Sequence, residues 1–230
     1  MFRPYAATSL AALMAVTMPV AAHAATATAD DTASATLGIS SNGAFSFSFT
    51  EFETDPEIEA TGGGVGGASS EVLANGFIEL TTAAEAQAGP QVSSASGLSL
   101  NQVEIVVTSE SEASQSVTFT LDWLIEGEGS ITNPGTDSAS SFGTVGFGEG
   151  TSGSNLLSEE LSVVGVEGGT TESLGDTFTY SFDLDGLEQA TFNLSASSEA
   201  EANVIPLPAG LPLLLAGLGA LALLRRARGG

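Results

Sequence analysis

The sequence predicts an all-β protein whose body is a single β-sandwich, jelly-roll or immunoglobulin-like in topology. Three observations predict it. Apolar and polar residues alternate with period two along several stretches, turn signals such as Asn-Gly, Asn-Pro and Asp-Gly separate those stretches, and no amphipathic helical pattern occurs in residues 25–203. About eight or nine short strands are expected from this pattern, enough for two packed sheets around one core.

Residues 25–34 read as a polar, flexible lead-in, and residues 35–197 as the acidic sandwich itself. Phe45, Phe47 and Phe49 alternate with Ser46, Ser48 and Thr50, which predicts a strand with one buried face. That strand runs into Glu51, Glu53, Asp55, Glu57 and Glu59, where an acid occupies every second position. In an extended chain these carboxylates line one side, about 7 Å apart. Pro56 places the segment on an edge or in a loop. Residues 61–70 read as a Gly-rich loop, and with no Lys or helix pattern following they are no phosphate cradle. Residues 72–74 and 77–80 flank Asn75-Gly76 and predict a hairpin with a two-residue turn that sets Leu73 opposite Ile78. Residues 81–97, rich in small side chains, read as irregular or as a short helix.

Val103, Ile105 and Val107 make the next strand. Val117, Phe119, Leu121, Trp123 and Ile125 then share one face of the clearest strand, with Trp123, the only tryptophan, on its core side. Residues 126–155 are Gly- and Ser-rich around an Asn133-Pro134 turn, with one weak strand through Phe142, Val145 and Phe147; residues 161–166 form another. Last, Phe178, Tyr180, Phe182 and Leu184 share a face, as do Ala190, Phe192, Leu194 and Ala196. A hairpin with a three- or five-residue loop is expected to join them, pairing Phe182 with Ala190 and Tyr180 with Phe192, because a two-residue Asp185-Gly186 turn would set polar residues against the aromatic face. Residues 198–203 read as a short acidic linker.

Both ends read as targeting segments. Arg3, the apolar run Ala6 to Met18 and Ala22-His23-Ala24 form a secretory signal peptide over residues 1–24, cut between Ala24 and Ala25. There is no twin-Arg pair, so the general secretion machinery is the expected partner. At the other end the eighteen residues 207–224 carry no charged or hydrogen-bonding side chain, and Arg225, Arg226 and Arg228 follow. Such a run reads as a membrane segment with its basic end held in the cytoplasm. Pro206, Pro208 and Pro212 lie at its front, where a helix tolerates them. A helix of that length spans about 27 Å, a marginal fit to a core of ~30 Å.

The motif Ile205-Pro206-Leu207-Pro208-Ala209-Gly210, the Leu/Gly/Ala run and the Arg cluster together resemble the VPLPA-type branch of the PEP-CTERM sorting tails. Ile205 stands where that motif has Val, which keeps a β-branched apolar side chain. The resemblance covers residues 204–230 and says nothing of the body. It implies export in a Gram-negative bacterium, a precursor tethered in the inner membrane, and transfer to the cell surface or extracellular space by an exosortase, a membrane transpeptidase-like enzyme. Because exosortase systems accompany exopolysaccharide and biofilm matrix, it also implies exopolysaccharide as a partner.

Charge bounds the chemistry of the body. All four basic residues lie in the targeting segments and all 28 acids lie between Asp30 and Glu201, so residues 25–203 carry 28 negative formal charges and no positive one. No side-chain ion pair can form there. Self-repulsion opposes compaction and disfavours nucleic acid or anionic lipid as partners. Salt relieves it, as the screening length falls from ~8 Å at physiological strength to ~3 Å at 1 M. Cysteine is absent, so no disulfide staples the core.

Without His, Lys, Arg or Cys the body lacks the usual base for a serine nucleophile, a Schiff-base amine, a thiol, a phosphate fork and the ligands of a typical zinc site. Carboxylate pairs remain for glycoside chemistry, but one Trp and one Tyr are few platforms for a sugar, and a non-catalytic protein is expected. Calcium is the cofactor that an oxygen-only composition admits, with Glu51, Glu53, Asp55 and Glu57 as candidate ligands. The expected function is that of an exported, non-catalytic surface or extracellular-matrix protein processed or anchored through its tail. The alternative is a carbohydrate- or calcium-dependent adhesion module on the same scaffold.

Overall fold

The computed structural model describes residues 25–54, 57–61, 65–74, 78–89, 94–150, 154–205 and 217–218. In chain order the strands are β1 (Ala27–Ser41), β2 (Phe45–Thr54), β3 (Glu57–Thr61), β4 (Val65–Ala74), β5 (Ile78–Ala88) and β6 (Ser94–Ser109). They continue with β7 (Gln115–Ile131), β8 (Asp137–Glu149), β9 (Ser154–Val164), β10 (Val166–Glu167), β11 (Thr170–Leu184) and β12 (Gln189–Val204). One sheet has the order β4-β5-β1-β7-β11, and the short β10 extends the β11 edge in a parallel pairing with β7. The other has the order β2-β6-β12-β8-β9, and β3 follows β2 along the edge of β6. All other pairings are antiparallel. The sheets stack face to face, β12 over β1 and β5, and β8 over β1 and β7.

Period-two alternation puts one face of each central strand inside. On β7 Val117, Phe119, Leu121, Trp123 and Ile125 are buried, Trp123 with 7% exposure, while the residues between them face outward. Phe119 reaches across the gap to Phe192 of β12 (ring centroids 4.6 Å apart) and Phe147 of β8 (5.2 Å), and stacks beside Phe182 of β11 (5.6 Å). This aromatic end carries the large side chains. The other end is filled by alanines: Ala27, Ala29, Ala84, Ala86, Ala200 and Ala202 are all buried there. Main chains meet directly at that end, since a Cβ on Gly129 would lie 2.8 Å from the Cα of Gly165.

Several segments differ from the sequence expectation, each for a physical reason. Residues 25–34 are not a flexible lead-in: β1 begins at Ala27, because Ala27, Ala29, Ala33 and Ala35 alternate in phase and bury their methyls. The same small-residue alternation carries β5 to Ala88 and starts β6 at Ser94, where an irregular or helical stretch was expected. It also carries β12 through the supposed acidic linker 198–203, with Ser198, Ala200 and Ala202 inside and Glu199 and Glu201 outside. Part of the Gly-rich loop is strand β4, and the weak strand around Phe142 is the thirteen-residue β8. Twelve strands, up to 17 residues long, therefore stand among the described residues in place of eight or nine short ones.

Two pairings change as well. The β4–β5 hairpin forms, but three residues separate its strands and Ala74 stands opposite Ile78, so Leu73 meets Glu79. This register puts Val72 opposite buried Leu80. The expected β11–β12 hairpin does not form. β11 pairs with β7, Tyr180 opposite Phe119, while β12 lies in the other sheet between β6 and β8. The two aromatic faces do meet, across the sandwich rather than along a ladder, with Phe182 and Phe192 centroids 4.9 Å apart. Packed face to face, each aromatic set covers apolar surface of the other.

Phe119→Ala should destabilise the protein by about 3–5 kcal/mol, as expected for loss of a fully buried ring. Phe192→Ala should be similar, and the double substitution should cost less than the sum, because each ring forms part of the other's cavity wall. Urea unfolding of the two single variants and the double variant measures this.

Candidate functional site

Between the aromatic and alanine ends lies a layer of buried polar side chains. Five of the six central strands contribute a polar side chain at that level: Asp31 from β1, Thr82 from β5, Ser99 and Asn101 from β6, Ser141 from β8 and Ser198 from β12. Most of the layer is joined by hydrogen bonds. The Thr82 and Ser198 hydroxyls are 2.9 Å apart, Thr82 also donates to the Ala33 carbonyl, and the Asn101 amide donates to the Thr81 carbonyl.

Asp31 differs from its neighbours. It is 1% exposed, and neither carboxyl oxygen has a hydrogen-bond partner; the Ser141 hydroxyl, also buried, has none either. Two glycines make room for it. A Cβ on Gly143 would come within 2.7 Å of the Asp31 Oδ2, and one on Gly127 within 2.6 Å of the Ser141 Oγ and 3.4 Å of the Asp31 Oδ1. The carboxyl is thus packed against main chain. Burial pushes it up to about 7; the Ser198 hydroxyl, close by but outside hydrogen-bonding geometry, opposes the shift only in part. The folded state therefore holds the proton more tightly than the unfolded chain does. Its contribution to stability is complete below the ordinary carboxylate range and is lost as pH rises to about 7. A shift of that size corresponds to roughly 4 kcal/mol.

The outer face of the same sheet carries a second electrostatic feature. Asp30 stands opposite Glu85 of β5 and Glu128 of β7, so three carboxylates form one row across three adjacent strands. Partial burial, then the charges of Glu85 and Glu128, raise Asp30 above the usual carboxylate range. Like charges directly opposite one another on a sheet are destabilising.

Glu51 and Glu53 lie on β2, but a bulge between them shifts the register, so they stand opposite Val103 and Gln102, successive residues of β6 that belong to opposite faces. The single row expected of Glu51, Glu53, Asp55 and Glu57 is interrupted there; Asp55 lies outside the described residues, and Glu57 opens β3, exposed. Among the described residues no group of three or more His, Cys, Asp or Glu is arranged to hold a metal ion. Phe47 and Phe49, expected in the core, are 38% and 40% exposed, because β2 is an edge strand and its inner face is only partly covered.

Ala25 packs against the alanine cluster, whereas Ala22 and Ala24 lie outside the described residues. Ile205 directly follows β12 and is 64% exposed. Residues 206–210 and Arg225, Arg226 and Arg228 lie outside the described residues, as does the apolar run 207–224 except for Gly217 and Leu218, which are helical. Among the described residues no helix is long and apolar enough to cross a membrane.

Sequence reasoning missed the buried layer. The available signal was phase: Asp31 continues the alternation of Ala27, Ala29, Ala33 and Ala35, which places it inside if those alanines are inside. Comparison with protein-family models, with curated proteins and with solved structures finds no match to this chain.

Asp30→Asn should stabilise the protein by roughly 0.2–1 kcal/mol at low ionic strength, by removing the central charge of the row. The gain should shrink as NaCl approaches 1 M, where the screening length is ~3 Å. Melting temperatures of both proteins across a salt series give the comparison.

Proposed function

We propose that this chain is an exported, non-catalytic cell-surface or extracellular-matrix protein, with a sandwich of jelly-roll type as its displayed body and residues 204–230 as an exosortase sorting tail. The observation that carries the reading is the partition of charge and motif. Every basic residue sits in the two end segments, next to a small-x-small cleavage site at one end and the Ile205–Gly210 motif with its apolar run at the other. The body between them has no nitrogen base, amine, thiol or guanidinium for catalysis. In this reading the general secretion machinery cuts after Ala24, the apolar run 207–224 holds the precursor in the inner membrane, and the exosortase acts at the motif.

The strand order supports jelly roll over immunoglobulin-like topology. The antiparallel pairs β8–β9, β7–β11 and β6–β12 are nested in sequence and alternate between sheets, and β1 takes the central place between β5 and β7. An immunoglobulin-like body would keep more hairpins within one sheet. A second reading, a carbohydrate- or calcium-dependent adhesion module, is favoured by the exposed Phe47 and Phe49 beside Glu51 and Glu53 on β2. Its distinguishing sign is glycan binding that calcium strengthens.

Intact mass of the protein recovered from membrane and medium tests the first reading. With an exosortase present, the released form should begin at Ala25 and lack Arg225–Gly230. Pro206→Ala together with Pro208→Ala should leave membrane insertion in place and slow release. A surface protein that keeps residues 225–230 would reduce the tail to a plain anchor.

A further inference from the structure

We propose that Asp31 is a proton-operated latch between the two sheets: protonated, it lets the alanine end of the sandwich close, and ionised, it loosens that end while the aromatic end stays packed.

Position comes first. Along the inner face of β1 the order is Ala27, Ala29, Asp31, Ala33, Ala35, Leu37, so the carboxyl sits at the boundary between the two apolar clusters. Space comes second. The main chains of Gly127 and Gly143 and the side chains of Ile125 and Ser141 pack around it, and its oxygens have no hydrogen-bond partner. A charge formed there is buried away from bulk solvent, and the body contains no cation to pair with it.

Beyond the Ser198 hydroxyl, which opposes the shift only in part, the surrounding strands offer no relief. Facing Asp31 from within are Thr82 of β5, Gly127 of β7, Ser141 and Gly143 of β8, and Ser198 of β12, all neutral. Charged groups at inner-face positions include Asp137, at the start of β8 and hydrogen-bonded to the Asn133 main-chain amide and the Thr136 hydroxyl, half-buried Glu159 of β9, opposite Val145, and the exposed Glu172 and Asp176 of β11, opposite Gly127 and Trp123. On the outer faces Asp30, Glu85, Glu126, Glu128, Glu199 and Glu201 are all acids. None favours a second negative charge inside.

The two ends differ in what resists opening. Alanine methyls bury far less surface than the Phe119, Phe147 and Phe192 rings, so the alanine end yields first. Once that end separates, water reaches the carboxylate and the latch is released. The start of β1 and the end of β12, both central strands, lie there.

Amide hydrogen exchange of the full chain in detergent, followed from pH 5 to 8 and corrected for intrinsic exchange, reads the latch. Opening of residues 27–30 and 199–204 should rise about tenfold per pH unit up to about 7 and then level off, the slope of one proton. Residues 117–125 and 192–196 should show little change. Asp31→Asn, of the same shape and uncharged, should abolish the pH dependence, whereas Asp30→Asn should keep it. A pH response that survives in Asp31→Asn, or one shared equally by the aromatic end, would overturn the proposal. If Asp31→Asn does not fold, carbon-13 titration of the wild-type carboxyl decides: Asp31 titrating in the ordinary carboxylate range ends the idea.

Discussion

With 28 acids and no cation between residues 25 and 203, only burial, main-chain pairing and neutral hydrogen bonds can hold the two sheets together. The architecture follows from that restriction. Each central strand gives one whole face to the interior, and the rings of Phe119, Phe147 and Phe192 cross the gap to fix how the sheets face each other. On the outer faces hydroxyl pairs stand where ion pairs would often be found. Thr118 and Ser181 link β7 to β11 at 2.8 Å, and Thr144 and Ser197 link β8 to β12 at 2.7 Å. Such contacts are each worth a fraction of a kcal/mol and do not depend on pH.

Against this background the two perturbed carboxyls have different causes. Asp30 is mainly a surface matter, raised by partial burial and by its neighbours in the row, and salt can reach it. Asp31, the next residue, points the other way into a buried layer that salt screening reaches poorly. One step along a strand thus separates a salt-sensitive group from a proton-sensitive one, as the alternation of faces requires. A body whose charged side chains are all acids has no cation to neutralise an interior carboxylate, and protonation is what remains.

Much of the fold was legible in the sequence, for a definable reason. Where large apolar residues alternate, as in residues 117–125 and 178–184, the buried face was identified correctly. Where alanine, serine and threonine alternate with acids, as at the start of β1, the second half of β5 and the end of β12, the contrast between faces is too weak to see, and the strands read as loop or linker. Pairing was harder still. The aromatic sets of β11 and β12 were matched with each other, and they do touch, but a period-two pattern cannot distinguish a neighbour in the same sheet from one in the sheet above. The buried polar layer was illegible for a related reason: one Asp among small residues looks like surface until five other strands bring Thr, Ser, Asn and Gly to its level.

The central claim is that face-to-face burial, and not hairpin pairing, joins the last two long strands of this acidic body. Main-chain nuclear Overhauser contacts in the full-length protein test it directly. The arrangement predicts cross-strand contacts between Tyr180 and Phe119 and between Thr179 and Thr120, with Tyr180 and Phe192 in contact through their rings alone. Main-chain contacts linking Tyr180 to Phe192 and Phe182 to Ala190 would contradict it.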